Sequence, residues 1–173
     1  MTPADAFSLL RDLGPPPRLM THVRLVGEAG DLLLVALARL GAALDADFVR
    51  AGIVLHDAGK VRHPEELTGR GKEHEPSGEQ LLLERGVDPR LARVCRSHGS
   101  WESVKDCSYE ELVIALADRL WKGVRSPQLE ERFIDETAAR LARDRWDLFV
   151  ALDDAFESIA AGGAERLERS RTG

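Results

Sequence analysis

The sequence predicts an all-α fold. Ala, Leu, Glu and Arg dominate, and aromatic residues make up only 5%, a composition that favours helices over strands. No Asn-Gly or Asp-Gly hairpin signal occurs anywhere. Apolar residues recur instead at helical spacing, between proline starts and glycine stops.

Each element follows from these rules. A first short helix covers Pro3–Asp12 and stops at Gly14 and the prolines behind it. A long helix begins near Pro16 or Pro17 and runs to about Leu40, with Gly41 behind it, the proline-first, glycine-last order that helix ends favour. The third, about Asp47–His56, is apolar on most sides (Phe48, Val49, Ile53, Val54, Leu55) and belongs in the core. Between Gly59 and Gly71 the polar stretch GKVRHPEELTGRG reads as a loop covering a site. A helix follows over Pro76–Arg85 with Gly86 as its cap, and another from Asp88-Pro89 to Gly99. Ser108 and Glu111 form a capping box for a strong helix to about Lys122, ended by Gly123. Amphipathic helices over Gln128–Arg143 and Arg145–Ala160 complete the bundle. They either cap the core or pair with a second copy, which makes a homodimer one open arrangement. With 173 residues and 43% hydrophobic content, the chain suits one domain over residues 1–162. A polar tail, 163–173, is expected to fray.

The formal charge is −6, with both signs interspersed. That excludes a general binder of duplex nucleic acid, which needs a concentrated cationic surface. It leaves room for a small phosphorylated substrate held by a few local cations. No apolar run approaches a membrane span, and MTPADAFSLLRDLG lacks the apolar core of a secretory signal. Cys95 and Cys107 are the only cysteines, too few for a disulfide framework, which is the usage of a reduced, cytoplasmic protein. Cys95, lacking a CxxC partner, reads as a small buried apolar residue.

The chemistry concentrates in histidines and aspartates. His56 and Asp57 end the apolar run AGIVL, where an ionised carboxylate needs compensation by a cation or by hydrogen bonds. Asp118 shares a helical stripe with Ile114 and Trp121, and takes as its partner a metal or a basic side chain, Arg119 or Lys122. His22 lies on an inward stripe with Val26 and Ala29; alone it would be an ordinary core histidine. His74 and His98 sit at element ends, from which a side chain can turn into a shared cleft. Together these are six potential N/O ligands from five segments, the way helix bundles build metal sites. Six ligands with one shared carboxylate suit two metals with open positions. His63, in the polar loop before a proline, is either an exposed residue or a substrate contact. Trp101 either stacks on a base or packs its loop. Arg24 and Arg119 are read as structural.

In this order, His22, His56-Asp57, His74, His98 and Asp118 resemble the HD-domain superfamily of metal-dependent phosphohydrolases. THVRLVGEA is similar to the family's first-histidine helix, AGIVLHDAGK to its His–Asp motif, and LADRLWKG to the helix carrying its last aspartate. The likeness covers about residues 18–125. It implies a helical bundle of the HD type. His74 and His98 fill the places of the two additional histidines found in the binuclear branch. By that resemblance Asp57 bridges two divalent metal ions, with iron or manganese favoured. His22, His56 and Asp118 complete one ligand set, and His74 and His98 the other. The Gly-Tyr-Pro signature of cyclic-dinucleotide phosphodiesterases is absent, and the chain is short beside the deoxynucleotide triphosphohydrolases. It is similar to small stand-alone members such as the dinucleoside tetraphosphate hydrolases.

The activity implied is hydrolysis of a phosphoester or phosphoanhydride bond by a metal-bridging hydroxide, with Asp57 and Lys60 as catalytic residues. Lys60, Arg18 and Lys122 are the candidates for binding phosphate; as a plain loop residue, Lys60 would be solvated instead. Two other readings stay open at this point. One is a mixed-valence di-iron oxygenase, which uses the same donors. The other is a non-catalytic nucleotide-binding module with structural metals.

Overall fold

The computed structural model describes residues 1–172, among which there are ten α-helices, two 3-10 turns and no strand. The all-α expectation holds. The helices are α1 (Pro3–Asp12), α2 (Pro17–Leu40), α3 (Ala46–Leu55), α4 (His74–Glu84), α5 (Pro89–Ala92), α6 (Val94–Ser100), α7 (Tyr109–Leu120), α8 (Pro127–Leu141), α9 (Arg145–Ala161) and α10 (Gly163–Thr172). The 3-10 turns, Ala58–Val61 and Pro64–Leu67, lie between α3 and α4.

Helix α7 runs through the middle, with Leu112, Val113, Ile114, Ala115, Leu116 and Ala117 all fully buried. Helices α2, α3, α6 and α8 pack around it, so the helices carrying His22, His98 and Asp118, and the end of α3 that carries His56, converge on one core. The Ser108–Glu111 capping box forms as expected, and the Glu111 carboxylate also accepts two bonds from the Arg93 guanidinium. Helices α8 and α9 cap this core through Leu129, Phe133, Leu148, Leu152 and Phe156.

Three elements differ from the sequence expectation. Helix α4 starts at His74 rather than Pro76, because proline is tolerated in a first turn whose N–H groups have no partner inside the helix. That puts His74 on the helix itself. The helix expected from Pro89 to Gly99 is divided at Arg93, whose carbonyl accepts from Arg96 N–H at 2.9 Å, a tightened turn. Most distinctly, residues 163–172 form α10 instead of a frayed tail. Arg166 is 6% exposed and donates to the carbonyls of Leu120, Trp121 and Ile159, satisfying the open C-terminal ends of α7 and α9. Arg169 forms a two-pronged ion pair with Glu28 of α2. Gly123 and Gly163 meet so closely that a Cβ on Gly163 would lie 2.2 Å from the Gly123 nitrogen. No described helix is long and apolar enough to cross a membrane.

Candidate metal centre

The floor of a cleft of about 870 Å³ is built from α2, α4, α6, α7 and the end of α3. Asp57 is at its centre, 1% exposed, in the turn joining α3 to the first 3-10 turn. Its two carboxylate oxygens face different histidines. Oδ2 lies 3.0 Å from His22 Nε2 and 3.5 Å from His56 Nε2. Oδ1 lies 3.2 Å from His74 Nε2 and 3.6 Å from His98 Nε2. On the first side Asp118 Oδ1 closes the group, 3.7 Å from both His22 Nε2 and His56 Nε2. Two sets of donors converge within 4.8 Å, His22 with His56 and Asp118, and His56 with Asp57 and His98. His56 belongs to both, so the sets adjoin, and the 3.2 Å contact brings His74 against the second.

The fold also decides which nitrogen each histidine presents. His56, at the end of α3, can give its Nδ1–H to Ile53 C=O at 2.7 Å, and His98 can give its own to Val94 C=O at 3.2 Å. His74 Nδ1 is held by the Glu66 carboxylate. In all three the Nε2 atom is left to face the Asp57 carboxylate, the arrangement in which a neighbouring acceptor fixes tautomer and ring orientation for a metal ligand. Glu66 also accepts from the backbone N–H groups of Glu73 and His74 at 3.1 and 3.2 Å, capping α4 as it aims the ring.

Electrostatics favour a cation. Burial would raise the Asp57 carboxyl, but the imidazoles of His56, His22 and His74 outweigh it and hold the group well below the carboxylate range. Burial likewise opposes ionisation of Asp118, and His56 and Lys122 overcome it. His98 is pushed down to about 3, first by burial and then by His56, so its ring is neutral and its lone pair free to coordinate. Asp57 Oδ1 and His74 Nε2, both buried, face each other at 3.2 Å without hydrogen-bond geometry, and neither has another hydrogen-bond partner. Orphaned atoms of this kind are costly in a folded interior. A divalent ion bound by carboxylate oxygen and imidazole nitrogen would satisfy both, so the donor set fits metal.

The expected cations lie at the same cleft. Lys60 Nζ donates to Asp57 Oδ2 at 2.7 Å, and Lys122 Nζ is 3.6 Å from Asp118 Oδ2. Arg18 lines the cleft with a side chain that makes no hydrogen bond or ion pair among the described residues. Arg70 and Lys72 in the loop before α4, and Arg119 on α7, line it in the same unpaired state. The sequence reading of Arg119 as structural does not account for its place in the lining, and Arg70 and Lys72 turn inward only because the loop before α4 folds over the cleft. Glu75 is buried beside His74 and accepts from Ser100 Oγ at 2.7 Å, tying α4 to α6.

Other sequence candidates fall outside. His63 lies 3.5 Å from Glu65 on the covering loop and does not line the cleft. Trp101 packs on the core beneath Arg132, whose guanidinium is 5.6 Å from the ring centre. Cys95 is fully buried against Leu55 C=O. Burial pushes its thiol far up, so it is inert.

A helical bundle gathering histidines and aspartates from separate helices at the base of a cation-lined cleft has the makings of a metal-dependent hydrolase. The HD domain family matches residues 19–122, and the chain belongs to it, within the superfamily of metal-dependent phosphohydrolases. An uncharacterized protein of Methanocaldococcus jannaschii is 27% identical over 170 residues, covering 89% of this chain and 96% of the relative. A multifunctional CCA protein of Alkalilimnicola ehrlichii is 36% identical over 118 residues, 56% of this chain but only 28% of that protein's length. No solved structure matches the chain.

Proposed function

We propose that this protein is a binuclear phosphohydrolase that cleaves a phosphoester or phosphoanhydride bond of a small phosphorylated metabolite or nucleotide. The observation that carries this reading is the division of Asp57. One oxygen serves His22 and His56, with Asp118 closing that group, and the other serves His74 and His98. A single-metal site would have no use for the second pair. His22, His56, Asp57 and Asp118 would hold one divalent ion, and Asp57, His74 and His98 the second, iron or manganese being the proposed metals. Ions held in this way supply Lewis acidity toward a phosphoryl oxygen and an acidified water as nucleophile.

The chain's own residues do the remaining work. Asp57 and Asp118, ionised at neutral pH, give the floor the negative charge that retains cations. Arg18, Arg70, Lys72 and Arg119 offer unpaired positive charge to the substrate's phosphate oxygens. Lys60, anchored on Asp57, places an ammonium beside the reacting phosphate, where charge builds up during transfer. Lys122 does the same from Asp118.

The test is phosphate release, under anaerobic conditions, from a panel of nucleotides and sugar phosphates. The expected result is activity that chelation abolishes and added Mn²⁺ or Fe²⁺ restores. Asp57→Ala should lower it by at least about 10²–10³-fold, the scale of losing one key electrostatic group. Phosphate release that survives both chelation and Asp57→Ala would overturn the proposal, as would its absence across the panel with oxygen consumed instead.

A further inference from the structure

Helix α10 lies beyond the stretch matched by the HD domain family, residues 19–122. It nevertheless contributes Leu167 and Ser170 to the lining of the metal-centre cleft. Its attachment is specific. Arg166 is inserted into the C-terminal ends of α7 and α9, bonding Trp121 C=O at 2.7 Å and Leu120 C=O at 3.2 Å. Trp121 stands edge-on to His22, with ring centres 4.9 Å apart, and lines the cleft as well. Arg169 anchors the far end of the helix to α2, which supplies His22. A polar segment is thus held at both ends against the two helices that bring His22 and Asp118 to the site.

What α10 presents there differs from the cations of the lining and adds to the apolar surface that Leu67 and Trp121 already supply. The loop before α4 brings Arg70 and Lys72, and α2 and α7 bring Arg18 and Arg119. The contribution of α10 is an aliphatic side chain and a hydroxyl. Ser170 Oγ donates its proton to Leu167 C=O at 2.7 Å, so the oxygen faces a ligand as an acceptor. An aliphatic side chain beside an indole, together with one acceptor, gives a phosphate little and suits an organic group with an apolar face and an N–H or O–H donor. At about 870 Å³ the cleft exceeds what a phosphate alone requires.

Building on the phosphohydrolase reading, we infer that α10 is the specificity wall of the site: Leu167 and Ser170, with Trp121, receive the organic part of an organic phosphate of nucleotide size, while the cations take its phosphates. Arg166 and Arg169 act as positioning residues that hold this wall in place.

The experiment compares binding of ATP and of inorganic tripolyphosphate to full-length protein by equilibrium dialysis with Ca²⁺ present. Leu167→Ala and Ser170→Ala should each weaken ATP about tenfold, the scale of one lost pocket contact. Both variants should leave tripolyphosphate within about twofold of the unsubstituted chain, which is below the effect of one contact. Arg70→Ala should weaken both ligands. Circular dichroism checks that each variant is folded, and neither α10 substitution touches the buried Arg166 anchor. Unchanged ATP affinity in both α10 variants would overturn the inference, and so would a parallel loss of tripolyphosphate or failure of the unsubstituted protein to bind ATP. Phosphate release is scored separately. The expected binding pattern without hydrolysis would defeat the phosphohydrolase reading and leave the wall standing.

Discussion

Glu66 decides which nitrogen of His74 faces the cleft, although it sits eight residues earlier on a separate 3-10 turn. Burial would raise its carboxyl, but hydrogen bonds from the His74 ring and from the backbone of residues 73 and 74 keep it ionised and lowered. Glu66→Ala is therefore expected to weaken one of two bound metal equivalents by about 10–100-fold, the usual cost of losing a ligand's supporting partner. Glu66→Gln retains an acceptor oxygen for the ring and should lose less. Titration against a competing chelator reads both, and equal affinity in all three proteins would show that Glu66 does not orient the ligand. At this scale the sequence was legible where residue type itself carries the chemistry. Histidine and aspartate after an apolar run, or on an inward stripe, are costly unless used, and all six fall within one cluster. Glu66 carried no such signal, because a glutamate in a polar loop looks like any solvated one until the loop folds back on α4.

The elements meet at close approaches that leave no room for a side chain. A Cβ on Gly59, two residues after Asp57, would lie 2.0 Å from the carbonyl oxygen of His74 and 2.7 Å from the nitrogen of Gly78. The first 3-10 turn and α4 therefore touch backbone to backbone, which brings Asp57 within reach of His74. Gly59→Ala should destabilise the fold by about 2–3 kcal/mol, since backbone atoms cannot yield as a flexible side chain can. Gly27→Ala on α2 has open space around the new methyl. It should be neutral or stabilise by about 0.5–1 kcal/mol, as alanine does in a helix interior. Denaturant unfolding of the two variants separates these outcomes; equal midpoints would refute the packing argument. Most helices up to α9 could be read from apolar period and caps, because they bury apolar faces; the start of α4 at His74 and the break at Arg93 could not. Helix α10 could not, because its anchors are guanidinium groups bonded to carbonyl oxygens and to Glu28. In the sequence, that pattern of charges is the same as that of a solvated tail.

Across the whole molecule a net charge of −6 coexists with a cleft whose lining includes six Lys and Arg side chains. The acids of the lining (Asp57, Glu66, Glu75 and Asp118) are held by histidines, lysines, backbone N–H groups or a serine hydroxyl. The unpaired cations are left to an anionic ligand, and the negative outer surface suits a small phosphate better than a long polyanion. Composition pointed to the class of fold, but the contrast between cleft and surface exists only once the loop before α4 and α10 are in place. In the proposed site Asp57 serves two metal positions at once. Elemental analysis of protein purified without chelator or affinity metal tests it directly, run on the unsubstituted chain, His74→Ala and His98→Ala. About two divalent ions per chain are expected, falling to about one in each histidine variant while His63→Ala keeps both. The same metal content in all four proteins, or a single ion per chain from the outset, would contradict it.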